Sequence, residues 1–247
     1  MYNFFKLIKI TTLLVFLVFS YSVFSQTNPV PFYANLESDE VDKWRAFYVQ
    51  LSPLGFSNFS IFRPEVPVDD IVNFRDNLSV GNAYEMNFGF YFNSRMGVGF
   101  SYTNTSFSDS FSRFGEKFYS NELNTSTYSV SINNLATGLR KQDLFYFNLG
   151  FFYLDLQQEF EKLGGNYQRK ASGNGFGLRT EIGYNYHLFD QLFLNLSSNF
   201  IIGSITSISS FTPNGKYKLN ELDEDTTSLL QLNFLLGFTY YLPFSAK

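Results

Sequence analysis

The sequence predicts an all-β chain: an eight-stranded antiparallel up-and-down barrel that spans a membrane. Three observations carry that prediction. Period-two alternation recurs along the chain, as in Tyr84–Tyr102, YEMNFGFYFNSRMGVGFSY, where Tyr84, Met86, Phe88, Phe90 and Phe92 alternate with Glu85, Asn87, Gly89, Tyr91 and Asn93. Aromatics make up 20% of the 247 residues and charged residues only 16%, below the usual quarter of a soluble domain. Short and long connections between the alternating segments follow one another strictly. The competing arrangement is a soluble barrel or sandwich that hides its aromatics inside, but such a fold would carry Lys and Glu along its outer face.

The elements follow in chain order. Residues 1–25 read as a signal peptide: Lys6 and Lys9 supply a positive start, Ile10–Phe19 a short apolar run, and Val23-Phe24-Ser25 a small-residue cleavage site before Gln26. The apolar run is shorter than the ~20 residues a spanning helix needs. Loss of Lys6 and Lys9 moves the net charge from −4 to −6, which argues against a nucleic-acid partner. Residues 26–44 form a Pro- and acid-containing lead segment, within which Asn35–Lys43 could form a short helix. The barrel then occupies residues 45–247. No later run stays apolar for the ~18 residues of a spanning helix. The absence of Cys excludes a disulfide framework, a thiolate metal site and a lipidated N-terminal Cys.

Eight strands are expected, near Arg45–Ser52, on the two arms of the Tyr84–Tyr102 hairpin, and near Thr127–Leu139, Leu144–Leu156, Gly175–Leu188, Gln191–Gly203 and Leu229–Leu242. Tight turns join them at Asn93–Arg95, Arg140–Asp143 and Phe189–Gln191. The long connections are Ser60–Val80, Asn104–Ser126, Gln157–Asn174 and Ser204–Ser228. With both termini on one side, this gives three short periplasmic turns and four long extracellular loops, the asymmetry of outer-membrane barrels. The barrel must close, so the last strand must pair with the first, because bilayer carbon offers no water to an open sheet edge. Pro53 fits a strand end or a bulge. In this register Phe90, Phe147 and Leu196 face lipid, and Asn87, Asn148 and Asn195 face the lumen.

These features resemble the small eight-stranded outer-membrane barrel superfamily, which includes the membrane domain of outer-membrane protein A, its X-type relatives and the W-type porins. The match rests on the signal peptide, the amphipathic strands, the turn-and-loop alternation and the C-terminal run LLQLNFLLGFTYYLPF. The resemblance implies that Phe234, Phe238, Tyr240 and Phe244 form the terminal strand signal read by the barrel-assembly machinery. Here Pro243 precedes the closing aromatic and Ser245-Ala246-Lys247 follow it.

Several residues bear on chemistry. Within the expected strands the charges are Glu85, Arg179 and Glu181, all on the polar face; they predict a lumen charge cluster, read either as a structural ion pair set or as a gate. Tyr102, Tyr128 and Tyr153 toward the loops, and Phe92, Phe145, Tyr186 and Tyr240 toward the turns, predict two interfacial aromatic girdles. His187, the single His, lies by a turn and so at the end opposite the outer rim where a lipid-modifying enzyme would need a base. No metal site or cofactor is expected; the acidic run Leu222–Asp225 reads as a solvated loop or a weak calcium site, and Gly164-Gly165 as a loop turn. The function expected is a non-enzymatic structural or surface-interaction barrel with a polar, mostly filled lumen, outer-membrane lipid around it and an unknown loop-binding partner. The alternatives are a narrow channel for small solutes or hydrophobic ligands and, behind it, a lipid-modifying enzyme.

Overall fold

The structure is a computed structural model that describes residues 45–62, 80–113, 116–140, 142–162, 167–212, 215–218 and 227–244. The expected signal peptide and lead segment lie outside the described residues, as do Leu222–Asp225 and Gly164-Gly165. Nine strands run in order: β1 (Arg45–Phe62), β2 (Val80–Tyr91), β3 (Met96–Arg113), β4 (Glu116–Thr137), β5 (Leu144–Lys162), β6 (Tyr167–Phe189), β7 (Leu192–Thr212), β8 (Gly215–Lys218) and β9 (Thr227–Phe244). Eight of them form a closed antiparallel wall in sequence order, with β9 completing the ring between β7 and β1. β8 is an addition that hairpins back onto the top of β7.

Three expectations need correction. The long connections at Asn104–Ser126 and Gln157–Asn174 are mostly strand: β3 and β4 stay paired from Met96↔Asn134 up to Arg113↔Glu116, and β5 and β6 up to Lys162↔Tyr167. Part of the Ser204–Ser228 connection is likewise strand in β7 and β8. The first strand also runs well past Ser52, to Phe62. Consequently Glu122, Asp155, Glu159 and Lys170 are strand residues, and the charges of the strands are not confined to Glu85, Arg179 and Glu181.

These extensions follow a second rule of sidedness. On the lower part of β5, Leu149, Phe151 and Tyr153 point outward and Asn148 and Gly150 inward. Past Tyr153, without a slip in register, Asp155, Gln157 and Glu159 occupy the outer face, and Phe152, Leu154 and Leu156 are buried inside. β3 switches in the same way, with Val98, Phe100 and Tyr102 outside below, and Asn104, Ser106 and Ser108 outside above, where Phe107 is buried inside. The switch falls on one rung: Tyr102, Tyr128, Tyr153 and Phe176 are direct neighbours across four strands. On these four strands the exterior below that rung is apolar, as a bilayer requires; above it their exterior is polar and the apolar residues go inside, as water requires. β4 continues twelve residues beyond Tyr128, about 40 Å of strand.

The turns at the opposite end are built from local chemistry. At residues 92–95 the Asn93 side-chain oxygen accepts hydrogen bonds from the backbone N–H of Arg95 (2.9 Å) and Met96 (2.7 Å), the Asx arrangement that suits a tight turn. Asp190 takes a positive φ of 46° between β6 and β7, a conformation that Asp tolerates better than most residues. At residues 138–143 the Gly138 N–H donates to the Asp143 carbonyl at 2.8 Å. Pro53 lies in a bulge of β1: pairing with β2 skips from Ser52↔Glu85 to Phe56↔Asn82, and pairing with β9 from Leu51↔Phe238 to Leu54↔Leu236.

The register agrees with the expected facing at Leu196, which is 60% exposed, and at Asn87, Asn148 and Asn195, which are buried. Phe90 is half-buried. Phe147 departs from it: although on the outward parity, it is 2% exposed and lies between half-buried Asn134 and Ile182 on the flanking strands. Outward parity alone does not guarantee contact with lipid.

Candidate functional site

The lumen is layered. Nearest the turns an apolar and aromatic layer is formed by Ala46, Tyr48, Tyr91, Leu135, Leu144, Tyr146, Phe193 and Tyr241. Glycines make room for the large rings. A β-carbon at Gly183 would sit inside the Tyr146 ring, and one at Gly99 would collide with the Tyr48 hydroxyl. At the far end, within the extension, a second apolar layer contains Phe107, Leu123, Phe152, Leu154, Ile201 and Leu229. The expectation of a polar lumen therefore holds only between these layers. The lower layer comes from inward tyrosines whose hydroxyls reach the polar layer above, and the upper layer from the reversal of sidedness.

Between them lie the three charges. The Arg179 Nη2 donates to Glu85 Oε2 at 2.7 Å and to Glu181 Oε2 at 3.0 Å. Its Nη1 donates to Ser101 Oγ at 2.7 Å and to Ser129 Oγ at 3.3 Å. All three charged side chains are 2% exposed or less. Glu85 Oε2 also accepts from Thr103 Oγ1 (2.7 Å) and Asn199 Nδ2 (2.8 Å). Glu181 uses both oxygens, Oε1 accepting from the Tyr146 hydroxyl (2.9 Å) and Gln50 Nε2 (3.4 Å), and Oε2 also from Asn148 Nδ2 (3.0 Å). Such a set of donors is what a buried charge needs to offset its desolvation.

The network runs on in both directions. Toward the turns Asn195 donates to the Tyr146 hydroxyl (3.0 Å) and to Asn185 (2.8 Å), which donates to the Tyr241 hydroxyl (2.9 Å). Toward the extension Asn233 donates to Asn199 (2.6 Å), and Gln231 to Asn233 (2.9 Å) and Ser57 (3.1 Å). Every wall strand contributes a side chain to this column. Of the uncharged members, Asn148 and Asn195 were expected to face the lumen; the others were not singled out from sequence, and polar parity marks all of them as inward but does not say which of them meet.

The remaining sequence-predicted residues are dispersed over the wall. Tyr102, Tyr128 and Tyr153 stand on one outer rung, with the rings of Tyr102 and Tyr128 5.2 Å apart. Phe92, Tyr186 and Tyr240 are exposed toward the turns and Phe145 is half-buried there. On β9, Phe234, Phe238 and Tyr240 are exposed on the outer face, and Phe244 ends the strand opposite Arg45. His187 sits at the turn end, where its Nε2 is 3.1 Å from the Asp190 carbonyl and its ring meets Phe193 edge-on. Beside it, Arg140 grips Asp143 with two hydrogen bonds (2.7 and 2.8 Å) and lies over the Tyr186 ring, while Tyr184 donates to Asp143 at 2.6 Å. The Arg140 hydrogen bonds hold the Asp143 carboxyl well below the usual carboxylate range. Among the described residues no three His, Asp or Glu side chains gather as metal ligands would.

No known protein family matches the sequence, and neither does any curated protein. Solved structures do match the fold. A major outer membrane protein from Thermus thermophilus aligns with a TM-score of 0.53 at 13% identity, over 80% of this chain and 99% of the other. Ail, the attachment invasion locus protein of Yersinia pestis, solved in complex with the heparin analogue sucrose octasulfate, aligns at 0.43 and 10% identity, over 81% of this chain and 99% of the other. The outer membrane protease OmpT from Escherichia coli aligns at 0.41 and 9%, over 81% and 97%. The first of these shows a shared chain path, and the other two add no argument to it. The chain is a closed eight-stranded antiparallel barrel of the outer-membrane type.

Proposed function

We propose that this protein is an outer-membrane barrel that does not conduct and does not catalyse, and that it serves to hold a tall, rigid set of β-hairpins above the lipid surface for contact with partners. The observation that carries the reading is the layered lumen. Two apolar layers bracket a buried, hydrogen-bonded polar column, and small eight-stranded barrels are only wide enough for side chains to fill. The belt from the turn-end aromatics to the Tyr102–Tyr153 rung supports a membrane location, because apolar exterior of that extent needs lipid. The position of His187, tied to a backbone carbonyl at the turn end, supports a non-enzymatic role. The signal peptide expected at residues 1–25 supplies the export route.

Fractionation combined with surface proteolysis tests this. The mature chain, starting near Gln26, should need detergent for extraction from the outer membrane. In intact cells, added protease should clip only beyond the Tyr128 rung and leave the belt and turns whole. Recovery of the full chain in the soluble periplasm would overturn the reading. A specific observation keeps the channel as the second reading: Ser52 Oγ, Glu85 Oε1 and Asn148 Oδ1 are buried in the lumen without a protein partner, and such atoms attract internal water.

A further inference from the structure

The turn end of the barrel carries two guanidinium groups that make no ion pair among the described residues, those of Arg45 and Arg95. Arg45 opens β1, one residue before the Ala46↔Tyr91 rung, and Arg95 closes the turn that follows Tyr91, so both stand at one corner of the rim. Arg45 is exposed and Arg95 half-buried. Arg140, by contrast, is taken up by Asp143 and Tyr186. The Arg95 carbonyl accepts from the Leu135 N–H at 2.7 Å, which seats this turn against the foot of β4. Just past that foot Leu139 is 96% exposed, on a turn held in place by a hydrogen bond from its own N–H to the Tyr184 hydroxyl (3.2 Å). One side of the rim, from β1 to β4, therefore offers a cationic corner and then an apolar side chain. The other side, at the β6–β7 turn, presents an exposed acid, Asp190.

The chain reaches this corner from residues 26–44. There Glu37, Asp39, Glu40 and Asp42 stand against one base, Lys43, and the apolar Phe32, Tyr33 and Leu36 precede them. We propose that this lead segment docks on the rim between β1 and β4, its acids against Arg45 and Arg95 and its apolar residues on Leu139. The reach is sufficient. From Leu36 to Arg45 the chain can span up to about 30 Å, and β4 lies three strand spacings, or about 15 Å, along the rim from β1. Charge selects the direction, because toward Arg95 the acids meet opposite charge and toward the β6–β7 turn they meet Asp190. Exposed ion pairs are individually weak, and the apolar contact adds to them. The segment is tethered at the site, so its effective concentration there is on the order of millimolar and weak contacts suffice.

The test is disulfide trapping in the full mature barrel, purified in a nonionic detergent; the chain has no Cys, so introduced thiols report alone. Ser38→Cys is combined with Gln142→Cys, an exposed position in the same turn as Leu139. The control combines Ser38→Cys with Phe189→Cys, exposed at the end of β6, which lies three strands from β1 the other way round through β9 and β7. An undocked segment reaches both positions alike. Under mild oxidation at low salt, the intramolecular link from 38 to 142 should form at least tenfold faster than that from 38 to 189. Adding Arg95→Glu, or Leu139→Asp, should close most of that gap. The folded barrel is verified in each sample by its resistance to unfolding in cold dodecyl sulfate, so a misfolded variant leaves the decision with the other and with the comparison of the two pairs. Equal rates for the two pairs, or a gap unchanged in folded Arg95→Glu or in folded Leu139→Asp, would overturn the proposal. So would disulfide-linked dimers in place of the intramolecular link, which would put the segment of one copy on the rim of another.

Discussion

Arg179 is the point at which the lumen is most exposed to a single change. Cutting it to Ala leaves Glu85 and Glu181 facing one another in a buried layer and strips Ser101 and Ser129 of their donor. Losing one partner of a buried ionic set typically costs ~3–5 kcal/mol. Arg179→Ala should therefore lower the melting temperature in detergent markedly, and adding Glu85→Gln with Glu181→Gln should recover part of the loss. A single variant that melts like the parent would remove Arg179 from the account. A second prediction concerns Asp143. Its carboxyl is held low by Arg140, so its stabilising contribution is fully present above the unfolded value of ~3.9 and is lost as pH falls through the lower folded value. In thermal melts Asp143→Asn should be less stable than the parent at pH 7, with the gap closing as pH falls below about 4. A gap that stays constant down to pH 2 would contradict the assignment. The three charges were legible from sequence, because a charge within the lipid-facing part of an alternating segment is costly anywhere but on the protected face. Glu85's bare oxygen was not, since it depends on which atoms meet across 94 residues between Glu85 and Arg179.

At the scale of the strand, β5 shows what period-two reading gives and what it withholds. The run Phe145, Phe147, Leu149, Phe151, Tyr153 fixes one face as apolar, and the lower half of the strand obeys it. The even-numbered Phe152, Leu154 and Leu156 that follow are the trace of the reversal, but in sequence they only blur the alternation at the end of the expected strand, and the polar run from Gln157 reads as a loop. The physical cause is a change of solvent, which no local propensity encodes. Two substitutions separate the halves. Phe151 is 75% exposed in the belt, and Arg there should cost ~2–4 kcal/mol if it lies near the midplane. Gln157 is exposed above the girdle, and Arg there should change stability by less than about 0.5 kcal/mol. Leu154 is fully buried in the upper layer, and Leu154→Ala should cost ~2–5 kcal/mol. Chemical denaturation in detergent or lipid reads all three. Equal penalties for Arg at positions 151 and 157 would show that the lipid boundary does not fall at Tyr153.

For the molecule as a whole, the eight strands, the three turns and the closure of last strand on first could be read from the sequence, because each follows from alternation and from the need to satisfy every backbone group in lipid. The height of the extension and its apolar filling could not, since they depend on pairing across connections whose composition reads as loop. That extension alters the functional reading. A solute would have to pass the upper layer around Leu154, the Arg179 column and the lower layer around Tyr241 in turn. Planar-bilayer recording of the purified full mature barrel measures this directly. The account predicts no steady single-channel current in the parent at symmetric molar salt, with the bilayer insertion of the same sample verified by protease protection. A reproducible ohmic current through the inserted parent would contradict it.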